Sequence, residues 1–338
     1  MRPRAGVDLG GTKVQAVVVD DEHAVLGQAR RLTPRSGGPQ AVADEIAEAV
    51  REAAAAAGVE SSSLVGIGVG SPGAVDGAAG TVAHARNLPD WDVVFPLGPA
   101  LTEALGPPVY LANDVDVAID AELAMGAAKP YSSTIGVWWG TGVGGGIILD
   151  GKRWDGRGAA GEIGHTVVKL NGAHCPCGRR GCLEAYAGRA AMEAKARRLA
   201  EKGKQTSLFT IMEKRGRTQL TSGVWARALE EEDPLAVLLV DRAVAALGAG
   251  VASAVNLLDV EAVVIGGGLG TRLGQESADR IAAAMAPHLF VRERPPVVHT
   301  AALGDLGGAL GAALLAEHQG ANSPEPGRVA PTPAELPS

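Results

Sequence analysis

Twice in this chain an apolar run stops at a glycine-rich turn and resumes as a second apolar run. Residues 5–9 and 13–19 flank Gly10-Gly11-Thr12, and the run 134–149 is broken by GTGVGGG at 140–146 before Asp150-Gly151 turns into a further strand. Each turn therefore joins strand to strand. Loops of the Walker and dinucleotide-binding kinds join strand to helix, so that a helix N-terminus faces phosphate, and these two are of another kind. The repetition reads as two related α/β halves, each opened by a hairpin.

Backbone N–H groups in such turns can cup phosphate oxygens, and a missing Cβ lets a ligand come close. Thr12 and Thr141 add hydroxyl donors and Lys13 a charge, which makes Gly10, Gly11 and Gly142 with these neighbours candidate phosphate contacts. Asp8, ending the first strand, suits a water bound to Mg²⁺, an ion that keeps several waters. A third junction, Gly266-Gly267-Gly268, follows the apolar run 260–265 and strengthens the case for a split nucleotide site.

All three cysteines fall within eight positions, Cys175-Pro-Cys177-Gly-Arg-Arg-Gly-Cys182, with His165 ten positions upstream. Three thiolates and an imidazole make a closed tetrahedral set for Zn²⁺, with no open position for catalysis. His174, beside Cys175, competes as fourth ligand, and a Cys-x-Cys redox pair with one spare thiol is the competing reading of the cluster.

Between these features the spacing predicts a helix over 39–57 ended by Gly58, strands over 64–70 and 109–112, and a helix from Asp114 to Ala127. Residues 189–258 read as mainly helical with a polar break near 203–222, and 305–318 as a last Gly/Ala-rich helix. From Gln319 five prolines lie among small and polar residues, read as a disordered tail 319–338. Aromatics at 3% against 46% apolar residues mean a core of Ala, Val, Leu and Ile. The net charge of −7 argues against nucleic acid as a partner. The absence of a signal pattern, or of an apolar run of membrane length free of Gly or charge, predicts a cytoplasmic protein without a membrane partner.

Asp114 follows a strand and opens a helix, where it is either a cap or an ionised base facing a hydroxyl proton. Asn87 in RNLPDW, Glu162 in GEIGH and Glu184 after Cys182-Leu183 place charged and amide groups beside glycine turns. Such an array suits a polyhydroxylated ligand, because sites that pair each hydroxyl reject analogues lacking one.

The order DLGGTK, GVGSPG, RNLPDW, LAND, GTGVGGG, GEIGH, CPCGRRGCLE and VIGGG, from about Gly6 to Glu317, resembles the ROK family of bacterial sugar kinases and repressors, its glucokinases most of all. The resemblance implies an α/β, bilobal actin/hexokinase-like fold (ribonuclease H-like and duplicated), with a cleft between the lobes and a structural zinc site. The implied lobes are 1–114 joined by the returning helix 305–318, and 115–304 carrying the zinc. It implies transfer of the ATP γ-phosphoryl group to the 6-hydroxyl of glucose with Asp114 as general base. Asn87, Asn113, Asp114, Glu162, His165 and Glu184 would contact the sugar; Asp8, Gly10, Gly11, Thr12, Lys13, Thr141 and Gly142 would surround Mg²⁺ and phosphates. Gly267 and Gly268 would lie beneath adenosine, and His165, Cys175, Cys177 and Cys182 would hold zinc. A homodimer or homotetramer is implied as well.

The alternatives are a ROK kinase for mannose, fructose or an N-acetylhexosamine, and a sugar-responsive regulator. The regulator would need an N-terminal helix-turn-helix module, whereas this sequence opens on its first strand. One departure from the family pattern stands out: Val115-Asp116-Val117-Ala118 follows the base where Ala-Asn-Ala-Ala is usual, putting a second carboxylate near Asp114. Close like charges raise one pKa.

Overall fold

The computed structural model describes residues 2–85 and 88–322, the last three by their backbone alone. Contacts divide the chain into two compact units, Met1–Asp114 with Ala312–Ser338, and Val115–Gly311. The first runs β1 (Arg4–Leu9), β2 (Lys13–Val19), β3 (Val25–Leu32), α1 (Gly38–Ala56), β4 (Ile67–Ser71), the small hairpin β5 (Ala74–Asp76) and β6 (Thr81–Ala83), α2 (Leu97–Leu105) and β7 (Val109–Asn113). Its sheet has the order β3-β2-β1-β4-β7: β2 is antiparallel to both neighbours, and β1, β4 and β7 are mutually parallel. Helix α1 buries Val42, Ile46, Val50 and Ala53 against this sheet, a stripe at helical spacing, with Pro39 in its first turn.

The second unit starts in α3 (Asp114–Met125) and continues β8 (Thr134–Trp139), β9 (Val143–Leu149), β10 (Lys152–Arg153), α4 (Glu184–Ala187) and α5 (Arg189–Glu201). Then come α6 (Leu208–Lys214), α7 (Ser222–Glu230), α8 (Pro234–Leu258), β11 (Ala262–Gly266), α9 (Gly267–Met285), β12 (Val297–Thr300) and α10 (Gly307–Asn322), whose residues from Ala312 belong to the first unit. The sheet order β10-β9-β8-β11-β12 repeats the first sheet strand for strand, with the same parallel and antiparallel senses. The chain is an α/β protein built twice on one plan.

Helix α8 is long and apolar enough to cross a membrane by length and composition. Most of its apolar surface is buried inside the unit, where Leu235, Leu239, Val240, Leu247 and Val251 are core residues, while Val237, Leu238 and Leu257 are exposed. The Asp233 carboxylate accepts from Leu235 N at 3.0 Å and Ala236 N at 2.8 Å, and Pro234 follows it, which fixes where the helix begins.

Four features depart from the sequence expectation. Strand β3, the β5–β6 hairpin, α2 and β12 add to the predicted elements. Helix α6 sits inside the expected polar break, seven residues long and too short to show periodicity. The last helix starts at Gly307, so its first turn falls in the second unit. It also runs to Asn322, so residues 319–322 are helical rather than part of a tail, and 323–338 lie outside the described residues.

Candidate active site

In the first unit the parallel strands set the geometry. Register pairs Asp8 with Gly70, Gly70 with Ala112, and Ser71 with Asn113. Asp8, Asn113 and Asp114 thus stand at the carboxyl ends of strands in one sheet, the edge where open α/β sheets take ligands. Asp114 is the first residue of α3, where the helix dipole favours an anion. The glycine turn between β1 and β2 is closed by Gly10 N donating to Lys13 O at 2.9 Å. Buried Thr33 fastens it from outside, its hydroxyl donating to Gly10 O at 2.6 Å and its N–H to Thr12 O at 3.3 Å. Gly11 and Thr12 are exposed, so the turn offers its backbone outward. Sequence reasoning missed Thr33, since no local pattern ties it to a turn some twenty residues away. Asn87 lies outside the described residues.

In the second unit the matching turn, between β8 and β9, is closed by Gly140 N donating to Gly142 O at 3.0 Å. Helix α5 holds it: Arg189 N donates to Gly140 O at 3.1 Å, Ala190 N to Thr141 O at 3.0 Å, and Arg189 Nη2 to Thr141 Oγ1 at 2.7 Å. From α4, Glu184 Oε2 accepts from Val143 N at 3.0 Å. The third glycine junction lies at the carboxyl end of the neighbouring strand, since Gly266 pairs with Trp138. Gly267 has φ +80°, and a Cβ there would sit 2.7 Å from Trp139 N and O, so glycine is required on both counts. Gly145 in β9 is equally constrained: a Cβ would come within 2.7 Å of Gly161 O, so the loop carrying Glu162 lies directly on the strand.

His165, Cys175, Cys177 and Cys182 turn one ligand atom each toward a common point, all within 4.8 Å of one another. Cys175 Sγ lies 3.7 Å from His165 Nδ1, and Cys177 Sγ 3.7 Å from Cys182 Sγ. Zn–S bonds of about 2.3 Å in a tetrahedron give edges of about 3.8 Å, so the donor set fits zinc. The Cys177–Cys182 spacing is far too long for a disulfide, whose S–S length is about 2.05 Å, so the three cysteines are free thiols. His174 is turned elsewhere, its Nε2 2.6 Å from Arg180 Nη2, so His165 is the imidazole of the cluster. The Arg179 side chain draws the Cys177 thiol down to about 6, while burial pushes Cys175 up to about 12. With Nδ1 at the cluster, His165 Nε2 is left to face Glu162, whose Oε2 is 3.9 Å away. Glu184 joins this corner to the glycine turn, since its Oε1 is 3.8 Å from Cys175 Sγ while Oε2 holds Val143 N.

Asp116 is occupied by a cation. Arg153 Nη1 lies 3.7 Å from Asp116 Oδ2 and 2.9 Å from Asp120 Oδ2, and Arg153 Nε 2.7 Å from Asp155 Oδ1. Burial is the main cause that raises the Asp116 carboxyl; Arg153 opposes it and Asp155 and Glu162 reinforce it.

The family model described as the ROK family matches residues 4–319. A glucokinase of Thermotoga maritima is 34% identical over 274 residues, covering 80% of this chain and 83% of that protein. A glucokinase of Streptomyces coelicolor is 34% identical over 315 residues, covering 92% and 96%. The crystal structure of a ROK family glucokinase from Streptomyces griseus in complex with glucose and AMPPNP superposes with a TM-score of 0.80 at 32% identity, covering 94% of this chain and 99% of that one.

Proposed function

The chain belongs to the ROK family, and on that premise we propose that it is an ATP-dependent glucokinase that phosphorylates the 6-hydroxyl of glucose. Asp114 is the general base: its carboxylate accepts the hydroxyl proton as O6 attacks the γ-phosphorus in line, and ADP leaves. Phosphoryl transfer asks the protein mostly for positioning and charge stabilisation. The glycine turns at Gly10–Thr12 and Thr141–Gly142, with Lys13, serve the phosphates, and Gly267 and Gly268 serve the adenosine. Asn113, Glu162, His165 and Glu184, with Asn87, take the hexose hydroxyls.

Asp8 suits Mg²⁺ through water, a single carboxylate at a strand end being the kind of donor that ion uses beside phosphates; when bound, the ion neutralises charge on the phosphate oxygens. The three cysteines and His165 suit zinc, which when bound closes a four-ligand structural site. Thiols gathered as metal ligands rather than disulfides support a cytoplasmic setting.

One observation carries the reading: Asp114 stands at the carboxyl edge of a sheet that also presents Asp8, in a chain matched to glucokinases over most of its length. The test is Asp114→Ala in a coupled assay with ATP and glucose. Turnover is expected to fall by about 10²–10⁴-fold, the usual contribution of a general base, with glucose affinity nearly intact. Unchanged turnover would remove Asp114 from the role, and preference for another hexose in a substrate panel would overturn the choice of glucose.

A further inference from the structure

The second unit holds a cavity of about 250 Å³, lined by Thr141, Arg189, Glu193, Arg197 and Gln219 among others, of which the reading above uses Thr141 and leaves the charged residues unassigned. Its charges do not cancel. Glu193 is spent on Arg197, accepting from Arg197 Nε at 3.0 Å and Nη2 at 2.6 Å, and on Leu220 N at 2.8 Å. Arg189 has no carboxylate partner within ion-pair distance among the described residues. Its Nη1 donates to Leu220 O at 2.9 Å and its Nη2 to Thr141 Oγ1 at 2.7 Å, while Nε is buried with no hydrogen-bond partner. Burial pulls this guanidinium below its ordinary value, with Glu193 opposing. A half-buried cation with no carboxylate at ion-pair distance, lining a pocket whose wall is mostly apolar, is a group that an arriving anion stabilises.

Thr141 shows which anion. Its oxygen accepts from Arg189, which leaves the hydroxyl hydrogen to donate elsewhere. The backbone N–H groups of Arg189 and Ala190 are already used on Gly140 O and Thr141 O, so the start of α5 has neither of these donors to give. The Arg189 guanidinium is the positive charge in direct contact with this turn, through Thr141 Oγ1. A planar fork of donors beside a hydroxyl donor matches tetrahedral phosphate oxygens.

We propose that Arg189 is a donor-binding residue: it orients the Thr141 hydroxyl outward as a hydrogen-bond donor and supplies the positive charge that holds the phosphate chain of the phosphoryl donor at the second glycine turn. This rests on the kinase reading above and adds a residue to it. Nucleoside triphosphate and inorganic polyphosphate share this phosphate chemistry, so the experiment separates them.

Binding of AMPPNP, inorganic tripolyphosphate and adenosine is measured by calorimetry on the full chain, without hexose, for wild type, Arg189→Gln and Arg189→Lys. Loss of one charge-assisted fork is expected to weaken AMPPNP by about 10–100-fold in Arg189→Gln. Adenosine should stay within about twofold, since no phosphate is present for a cation to hold. Arg189→Lys should recover part of the loss, because it restores charge without the fork. In turnover, KM for ATP rises and KM for glucose does not.

Tripolyphosphate that binds wild type and weakens in parallel supports an inorganic chain as a second donor. Tripolyphosphate that never binds, with AMPPNP still weakened, supports the nucleotide alone. Unchanged AMPPNP affinity in Arg189→Gln overturns the proposal, as does an equal loss for adenosine, which would make Arg189 a reader of the nucleoside. If Arg189→Gln does not fold, Arg189→Lys decides, and full AMPPNP affinity in it overturns the proposal. Wild-type enzyme that binds AMPPNP but phosphorylates no hexose would sink the kinase reading while leaving this comparison readable.

Discussion

The two glycine turns share a topology and differ in what fastens them. The first, between β1 and β2, is held by the neutral hydroxyl and N–H of Thr33. The second, between β8 and β9, is held by charges of both signs, Arg189 on Thr141 and Glu184 on Val143 N. Glu184 belongs in turn to the corner where the three cysteines and His165 meet. The strands differ to match: β2 fills its faces with Val and Ala under α1, whereas β9 gives up side chains at Gly144, Gly145 and Gly146 so that α3 and the Glu162 loop can press on it. One plan has been built once with a turn fastened by neutral groups and once with a turn fastened by charged ones beside a metal-suited corner. Duplication fixes where a turn lies, and the fastenings decide what it responds to.

That contrast is easiest to break at the metal. Cys182→Ser should lose bound zinc, read by metal analysis, and lower kcat/KM by about 100-fold, the upper range for disturbing a metal site's support. Thr33 should be indifferent to metal content. Full activity in zinc-free protein would erase the distinction between the turns. Next in size, Thr33→Val keeps the volume and removes the bond to Gly10 O, costing about 1.5 kcal/mol and lowering Tm by about 2–4 °C. The same Tm drop is expected with zinc present or chelated, measured by calorimetry; a zinc-dependent drop would show the two fastenings to be coupled.

The smallest expected effect separates the units by pH. Helix α1 opens at Gly37 with no side-chain cap, whereas α8 opens at ionised Asp233. Burial would raise the Asp233 carboxyl, but bonds from Ser207, Ala236 and Thr206 outweigh it and hold it below its ordinary 3.8. A folded-state value below the unfolded one gives stability that is present above 3.8 and lost as pH falls through the folded value. Asp233→Asn should therefore cost about 1 kcal/mol at pH 7, and the gap to wild type should close in acid. A gap independent of pH, followed by denaturant titration, would mean that the charge of Asp233 is not what caps α8.

Both hairpins and the thiol corner were legible in the sequence because each is a local pattern: alternating apolar runs around glycine, and cysteines within eight positions. What escaped was non-local. β3 carries Gly27, Arg30 and Arg31, reads as polar, and is an edge strand; a Cβ at Gly27 would sit 2.3 Å from Ala53 O, so the glycine is there for helix α1 and not for a turn. Thr33 and Arg189 matter through bonds spanning 23 and 48 positions, which no spacing rule reports. The choice of His165 over His174 also needed coordinates, because both lie near the cysteines in sequence and only the loop path separates them. The expected carboxylate next to the base was seen, but its partner Arg153 sits 37 positions further on and could not be paired with it in advance.

Glu184 has one rigid carboxyl group and two neighbours, a backbone N–H on one oxygen and a sulfur near the other. It cannot follow both if they part. A wider ion at the thiols, such as cadmium in place of zinc, would shift that sulfur by a fraction of an ångström and be felt as a tug on the amide beside Gly142. On the function proposed above, the radius of the ion would then reach the phosphate turn without a single residue being changed.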